Sequence, residues 1–264
     1  MMHLINKSIL FFLFLILNSY ANDKSILDKV ISTNELKVCV WPQYYGISYV
    51  DPRTQNIEGI DSDLAVELAK DLNVNLKFVK SSFPSLIEDV KTNKCDIAMY
   101  AIGKTEQRIK QIRFTSAHLQ SDIYAITTTS NKKIKSWNDI DKKGVVVAVA
   151  KETYHETVMK ERLQNASLVV IQGFKQREEE VQAGRADVFM TDYPYAKKML
   201  AQTQWARVVK PEKVYYLSEY AWAVAYGDDK FYNRIEIFIR KIKKDGRLLS
   251  IAKKHGLEPI LKLK

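Results

Sequence analysis

Residues 144–192 read GVVVAVAKETYHETVMKERLQNASLVVIQGFKQREEEVQAGRADVFMTD. Gly144–Ala150, Ser167–Ile171 and Asp187–Thr191 are short apolar runs of the kind that forms buried strands. Between them, His155–Leu163 and Arg177–Ala183 have helical spacing, and a further helix follows over Tyr195–Leu200. A β-α-β-α-β order of this kind predicts a parallel sheet covered by helices.

The same order occurs once before. LKVCV (Leu36–Val40), LKFV (Leu76–Val79) and DIAMYAI (Asp96–Ile102) read as strands. The helix after the first opens at an Asp61-Ser62 cap and turns Leu64, Ala65, Leu68, Ala69 and Leu72 to one face. A shorter helix over Ser85–Asn93 has Leu86, Ile87 and Val90 inward, and another begins around Thr105. Two α/β units of similar size imply two lobes. The extended stretch Ser121–Thr129 lies between the units, and a second, Glu219–Gly227, precedes the terminal helices. If those helices pack on the first lobe, two strands cross between lobes and form a hinge. The expected division is 22–120 with 222–264 for lobe 1, and 121–221, crossovers included, for lobe 2.

The N-terminus has its own logic. Lys7 precedes the uninterrupted apolar run Ile9–Leu17, and Asn18-Ser19-Tyr20-Ala21 places small residues where a signal peptidase cuts. The run is about half the ~20 residues a membrane-spanning helix needs. Residues 1–21 are therefore expected to be a cleaved export signal, with no lipid because no cysteine adjoins the cut. Cys39 and Cys95 are the chain's two cysteines, both expected in strands; either a bridge or two buried thiols fits the sequence. The formal net charge of +10 is spread over helix faces, and no nucleic-acid-binding signature accompanies it, so a solvated basic surface is expected. No metal-ligand spacing, phosphate loop or dinucleotide fingerprint occurs, and no cofactor is expected.

In open parallel sheets ligands bind beyond the carboxyl ends of the strands. The residues there are Trp41, Tyr44 and Tyr45; Ser81, Ser82 and Phe83; Gly103, Lys104, Thr105 and Arg108; Glu152, Thr153, Tyr154 and His155; and Asp192, Tyr193 and Tyr195. The set suits a zwitterion. An Arg guanidinium grips a carboxylate with two parallel bonds, and a helix start near Thr105 adds N–H donors. Asp192 takes an ammonium, and Tyr44 and Phe83 cover the carbon body. Each has a plainer alternative: Arg108 as a surface charge, Asp192 as the cap of the Pro194 helix, and Trp41 and Phe83 as core.

Four stretches resemble a known family: YYGISYVDPRTQNIEGIDSDLAVELAKDLNV, SSFPSLIEDVKTNKCDIAMYAIGKTEQRIKQIRFT, AGRADVFMTDYPYA and KKDGRLLSIAKKHGL. Together they resemble, in order, the family 3 extracellular solute-binding proteins, the amino-acid receptors of ABC importers. The resemblance implies a two-lobed, type II periplasmic-binding-protein-like α/β fold with a two-strand hinge, a monomer in the periplasm, and an inner-membrane ABC permease as partner. It implies Arg108 on the ligand α-carboxylate, Asp192 on the α-amino group, and Tyr44 and Phe83 as the aromatic pair. Backbone contacts would come from Ala101 and Gly103. The chain departs from the family at Gly103, where Ser or Thr is usual, and at Glu152-Thr153-Tyr154, where the family has Gly-Thr-Thr or Gly-Thr-Ser; Thr153 keeps its place. Trp41 stands where receptors for basic amino acids carry an acid, which points to an aromatic or other large, weakly polar ligand.

Two other classes compete. Cyclohexadienyl dehydratases share the fold, and Glu152 with His155 would supply acid–base groups. A ligand sensor would need a separate membrane partner. N-terminal sequencing of exported protein is expected to read from Asn22; a start inside the apolar run would contradict the cleavage site.

Overall fold

The structure, a computed structural model, describes residues 25–264; the expected export signal, residues 1–21, lies outside the described residues. The first sheet has the order Asn75–Lys80, Glu35–Val40, Ile97–Gly103, Ser218–Val224, Arg113–Phe114, with Leu119–Ser121 also pairing Ser218–Val224. Its first three strands are parallel, as the alternation of apolar runs and helices requires. Ile97–Gly103 is the central strand and is buried throughout, which accounts for its unbroken apolar sequence. Asn75–Lys80 lies at the edge and is half exposed.

The second sheet has the order Ser167–Ile171, Val146–Ala150, Val188–Asp192, Ile123–Thr128, Ala206–Val209. Again three strands are parallel and the crossover strand is antiparallel to them. The protein is thus the two-lobed α/β fold expected, with mixed sheets: the parallel cores come from the α/β units, and the antiparallel strands are those next to the crossings.

Leu119–Ser121 belongs to the first sheet and Ile123–Thr128 to the second, so the outward crossing is at Asp122. Ser218–Val224 lies wholly in the first sheet, which puts the return ahead of residue 218 and not within 219–227. The Asp122 carboxylate accepts the Tyr215 and Tyr216 N–H groups at 2.9 and 2.7 Å, pinning the two crossings side by side. The terminal helices Asp229–Lys244 and Arg247–His255 pack on lobe 1, against helices Ile26–Thr33 and Ile60–Leu72.

Helix Ile60–Leu72 buries the five apolar residues its spacing predicts. Its cap is not Asp61-Ser62 but Gly59, whose φ of +135° and position over Ile47 exclude a side chain: a Cβ there would lie 2.2 Å from the Ile47 carbonyl oxygen. Asp61 is thereby freed for the core. Its buried carboxylate accepts the Ala101 N–H at 2.6 Å and the Trp222 Nε1–H at 2.9 Å, and it lies 2.8 Å from His118 Nε2.

Cys39 and Cys95 are joined in a disulfide, with Cα atoms 5.5 Å apart. Cys39 lies in a strand, as expected; Cys95 lies two residues before the neighbouring strand Ile97–Gly103. The bridge ties a central strand to its neighbour across 56 residues of chain. Unfolded, unreduced protein is expected to titrate no free thiol. Reduction is expected to cost about 4 kcal/mol by the loop-entropy relation, measured as a fall in the urea midpoint.

Candidate functional site

The strand ends of the two lobes face each other across a buried aromatic seam. Trp41, which follows Glu35–Val40, stacks on Phe174 of lobe 2 with ring centroids 4.4 Å apart. Tyr44 meets Phe174 edge-on at 5.1 Å, and Phe83 meets Trp41 edge-on at 4.8 Å. The Gln43 side chain accepts the Phe174 N–H at 3.2 Å. Trp41, Tyr44 and Phe83 are therefore buried, as the core reading held, but Trp41 and Tyr44 also pack on Phe174 of the other lobe.

Arg108 is not a surface charge. It projects from the single helical turn Glu106–Ile109, capped by Thr105, and is 5% exposed. Its guanidinium donates to the Gly103 carbonyl at 2.8 Å and to the Glu152 carbonyl of lobe 2, and lies over the Phe83 ring at 5.0 Å. No carboxylate among the described residues pairs with it, and burial pushes its pKa down to about 10. The expected helix-start donors amount to little, because one turn has almost no dipole.

Asp192, at the end of Val188–Asp192, is both a helix cap and a member of the seam between the lobes. One oxygen accepts the Tyr195 N–H at 3.2 Å, which fulfils the cap. The other accepts hydroxyls from lobe 1: Tyr44 and, at 2.7 Å, Tyr220. Burial raises its pKa, while the two tyrosine hydroxyls pull it back. Among the described residues no lysine or arginine pairs with it. The site thus holds a buried cation and a buried anion, each satisfied by neutral dipoles.

The remaining expected residues are present with narrower roles. Ala101 has a φ of +50°, and its N–H is spent on Asp61, leaving only its carbonyl for another partner. The Gly103 carbonyl holds Arg108. Thr153 donates its hydroxyl to the Ala150 carbonyl at 2.7 Å. Glu152 adopts a φ of +60°, the left-handed conformation that costs a non-glycine residue about 1 kcal/mol, and its side chain is exposed.

Sequence reading missed Phe174 and Tyr220. Phe174 follows strand Ser167–Ile171 and would have emerged from the same strand-end rule. Tyr220 sits within an antiparallel strand, where that rule does not reach.

Residues 36–258 match the bacterial extracellular solute-binding proteins, family 3. The chain belongs to this family. It is 26% identical over 238 residues to a cyclohexadienyl dehydratase of Pseudomonas aeruginosa, covering 89% of this chain and 87% of that protein. It is also 26% identical to a probable histidine-binding protein of Campylobacter jejuni, over 86% and 87% of the two chains. Among solved structures, an ancestral amino acid-binding protein described as a precursor of cyclohexadienyl dehydratase superposes with a TM-score of 0.80 at 29% identity, over 87% of this chain and 99% of that one. An arginine-bound ABC transporter substrate-binding protein of Streptococcus pneumoniae gives 0.78 at 25% identity, over 86% and 97%.

His155 of this family member is 2% exposed and packs under Tyr154 at 4.0 Å. Burial, then the nearby Arg177 charge, hold its pKa well below 6.5, with the Thr191 backbone pulling weakly the other way. An unfolded His binds a proton that the folded one refuses, so its contribution is complete above pH 6.5 and is lost as pH falls below it. Unfolding free energy is expected to decline from pH 6.5 toward 5, and His155→Leu to flatten that decline; denaturant titrations at each pH test it.

Proposed function

We propose that the chain is a periplasmic receptor that captures an amino acid between its lobes and delivers it to an inner-membrane ABC permease. The observation that carries this is the pair of buried charges without ionic partners, Arg108 on lobe 1 and Asp192 on lobe 2. A buried guanidinium and a buried carboxylate are costly unless a ligand matches them, and a zwitterion offers an anion to one and a cation to the other. In this reading Arg108 holds the α-carboxylate and Asp192 the α-amino group. The Ala101 carbonyl assists the ammonium, and Trp41, Tyr44, Phe83 and Phe174 enclose the side chain. Gly103 lines the carboxylate end through its backbone, and Thr153, whose hydroxyl and N–H both go to the Ala150 carbonyl, holds the turn that brings the Glu152 carbonyl to Arg108. The amino-acid-binding relatives support this class of ligand. Export through the N-terminal signal, action as a monomer and closure about the crossings pinned by Asp122 belong to the same proposal.

The similarity to a dehydratase favours one other reading, an enzyme on the same fold. Of its two acid–base candidates, the Glu152 carboxylate is exposed to solvent and His155 is held neutral in the interior. That arrangement favours binding over turnover. Prephenate and arogenate are expected to yield no product when the purified chain is assayed beside a known dehydratase, and turnover would replace the receptor reading.

A thermal-shift screen of amino acids and small organic acids identifies the ligand. Saturation at about 100 times the dissociation constant adds about 2.7 kcal/mol. Truncating one side of a desolvated charge pair costs ~2–5 kcal/mol, and ~1.4 kcal/mol is one decade in affinity. Arg108→Ala is therefore expected to weaken binding at least tenfold by calorimetry. Asp192→Ala is expected to do the same for an amino acid, and much less for an acid lacking the amine. Unchanged affinity in Arg108→Ala refutes the assignment.

A further inference from the structure

Gly103 and Tyr154 face each other from opposite lobes. Gly103 ends the central strand of lobe 1, and Tyr154 opens helix Tyr154–Arg162 of lobe 2. A Cβ built on Gly103 would lie 3.1 Å from Tyr154 Cδ1 and 3.4 Å from Tyr154 Cβ, so the ring rests directly on the bare α-carbon. The first distance is tighter than an ordinary carbon contact and the second is an ordinary one, so an alanine would oblige the ring, and the lobe that carries it, to give by a few tenths of an ångström. The Tyr154 hydroxyl lies 2.9 Å from that of Tyr220, which donates to Asp192 at 2.7 Å. One edge of the residue thus touches the buried seam, at Gly103 and, through Tyr220, at Asp192. Its other side lines a groove of about 600 Å³ between the two lobes, with Lys104, Gln107, Lys110 and Gln111 on one wall and Thr157 and Glu161 on the other.

We propose that Gly103 and Tyr154 form one specificity element, a ring seated on a glycine at closure, which walls the Arg108 end of the site off from the outer groove. The proposal rests on the receptor reading for its ligand and refines it: the ligand must end in a free carboxylate at Arg108, as an amino acid does, and a chain continued past that carboxyl, as in a peptide, meets the Tyr154 ring. The usual tyrosine in a core is a packing residue. Here one side of the ring packs on His155 of its own lobe, while its contacts with Gly103 and Tyr220 cross to the other lobe and exist only when the lobes are together.

The first test needs no ligand, because the contact is made by protein alone. Gly103→Ala is expected to enlarge the radius of gyration by small-angle scattering and to lower the melting temperature. In a Tyr154→Ala background the same change is expected to leave the radius unchanged. It should then lower melting only by its contact with Ser218 Oγ, 3.0 Å from the added carbon and within the same lobe. Tyr154→Phe keeps the ring, so Gly103→Ala should act there as in the parent; Tyr154→Val takes the place of Tyr154→Ala if that variant does not fold. Gly103→Ala effects that persist undiminished in the ring-less variant, in both measurements, overturn the seating. The second test is calorimetry with the twenty L-amino acids and, for each as the N-terminal residue, its dipeptide with glycine. Tyr154→Ala is expected to gain at least tenfold in affinity for dipeptides over the parent. Dipeptide binding by the parent itself, or no gain in the variant, overturns the wall. If no amino acid binds any variant, the receptor reading fails, while the scattering and melting cycle still decides whether the ring is seated.

Discussion

A buried carboxylate in the core of lobe 1 sets the shape of the strand on which the site is built. Asp61 is fully enclosed and must be hydrogen-bonded. It draws its donors from separate parts of the chain: the Ala101 backbone in the central strand, Trp222 in the antiparallel strand beside it, and the His118 ring. Meeting that demand pulls Ala101 into a positive φ and breaks the regular ladder. Met99, Tyr100 and Ala101 stand opposite Trp222 alone, and pairing resumes at Ile102 with Ala221. Gly103 follows directly on the bulge. Gly103 can then offer its carbonyl to Arg108, and Arg108 can lie inward over Phe83 and reach Glu152.

The seam between the lobes joins two kinds of interaction with different consequences. The stacked and edge-on rings of Trp41, Tyr44, Phe83 and Phe174 are apolar surface that closes whenever water can be excluded, each pair adding about 0.5–1.5 kcal/mol beyond its area. The charges of Arg108 and Asp192 oppose the same closure, since each loses water and gains only dipoles in return. The lobes are joined in the structure, and a zwitterion matching both charges would strengthen that closure. In the receptor proposed, the crossings held side by side at Asp122 would serve as the hinge, keeping together the strands that lead into each sheet.

Much of this was legible in the sequence. The alternation of apolar runs and helical spacing is a local property, imposed by period 2 or 3.6 burial, and it determined both α/β units, their order and the restart that implies two lobes. Strand ends follow directly from strands, so Trp41, Tyr44, Phe83, Gly103, Arg108, Thr153 and Asp192 could be grouped before any coordinates, and in the structure all of them but Thr153 make contacts at one seam.

What the tertiary structure alone decided is the pairing of groups distant in the chain. A bridge between Cys39 and Cys95 requires their Cα atoms at the right separation, which depends on register between strands 56 residues apart. Asp61 reads as a helix cap by local rules; its burial against Trp222, 161 residues away, follows from the return of the chain into the first sheet. Tyr220 enters the site for the same reason, and the exchange of a glycine on one lobe for a ring on the other makes sense only once the lobes meet. Local sequence specifies periodicity, caps and strand ends, because those are decided among near neighbours. Which buried polar groups satisfy one another is decided by how the sheets and lobes close, and no window of sequence contains that geometry.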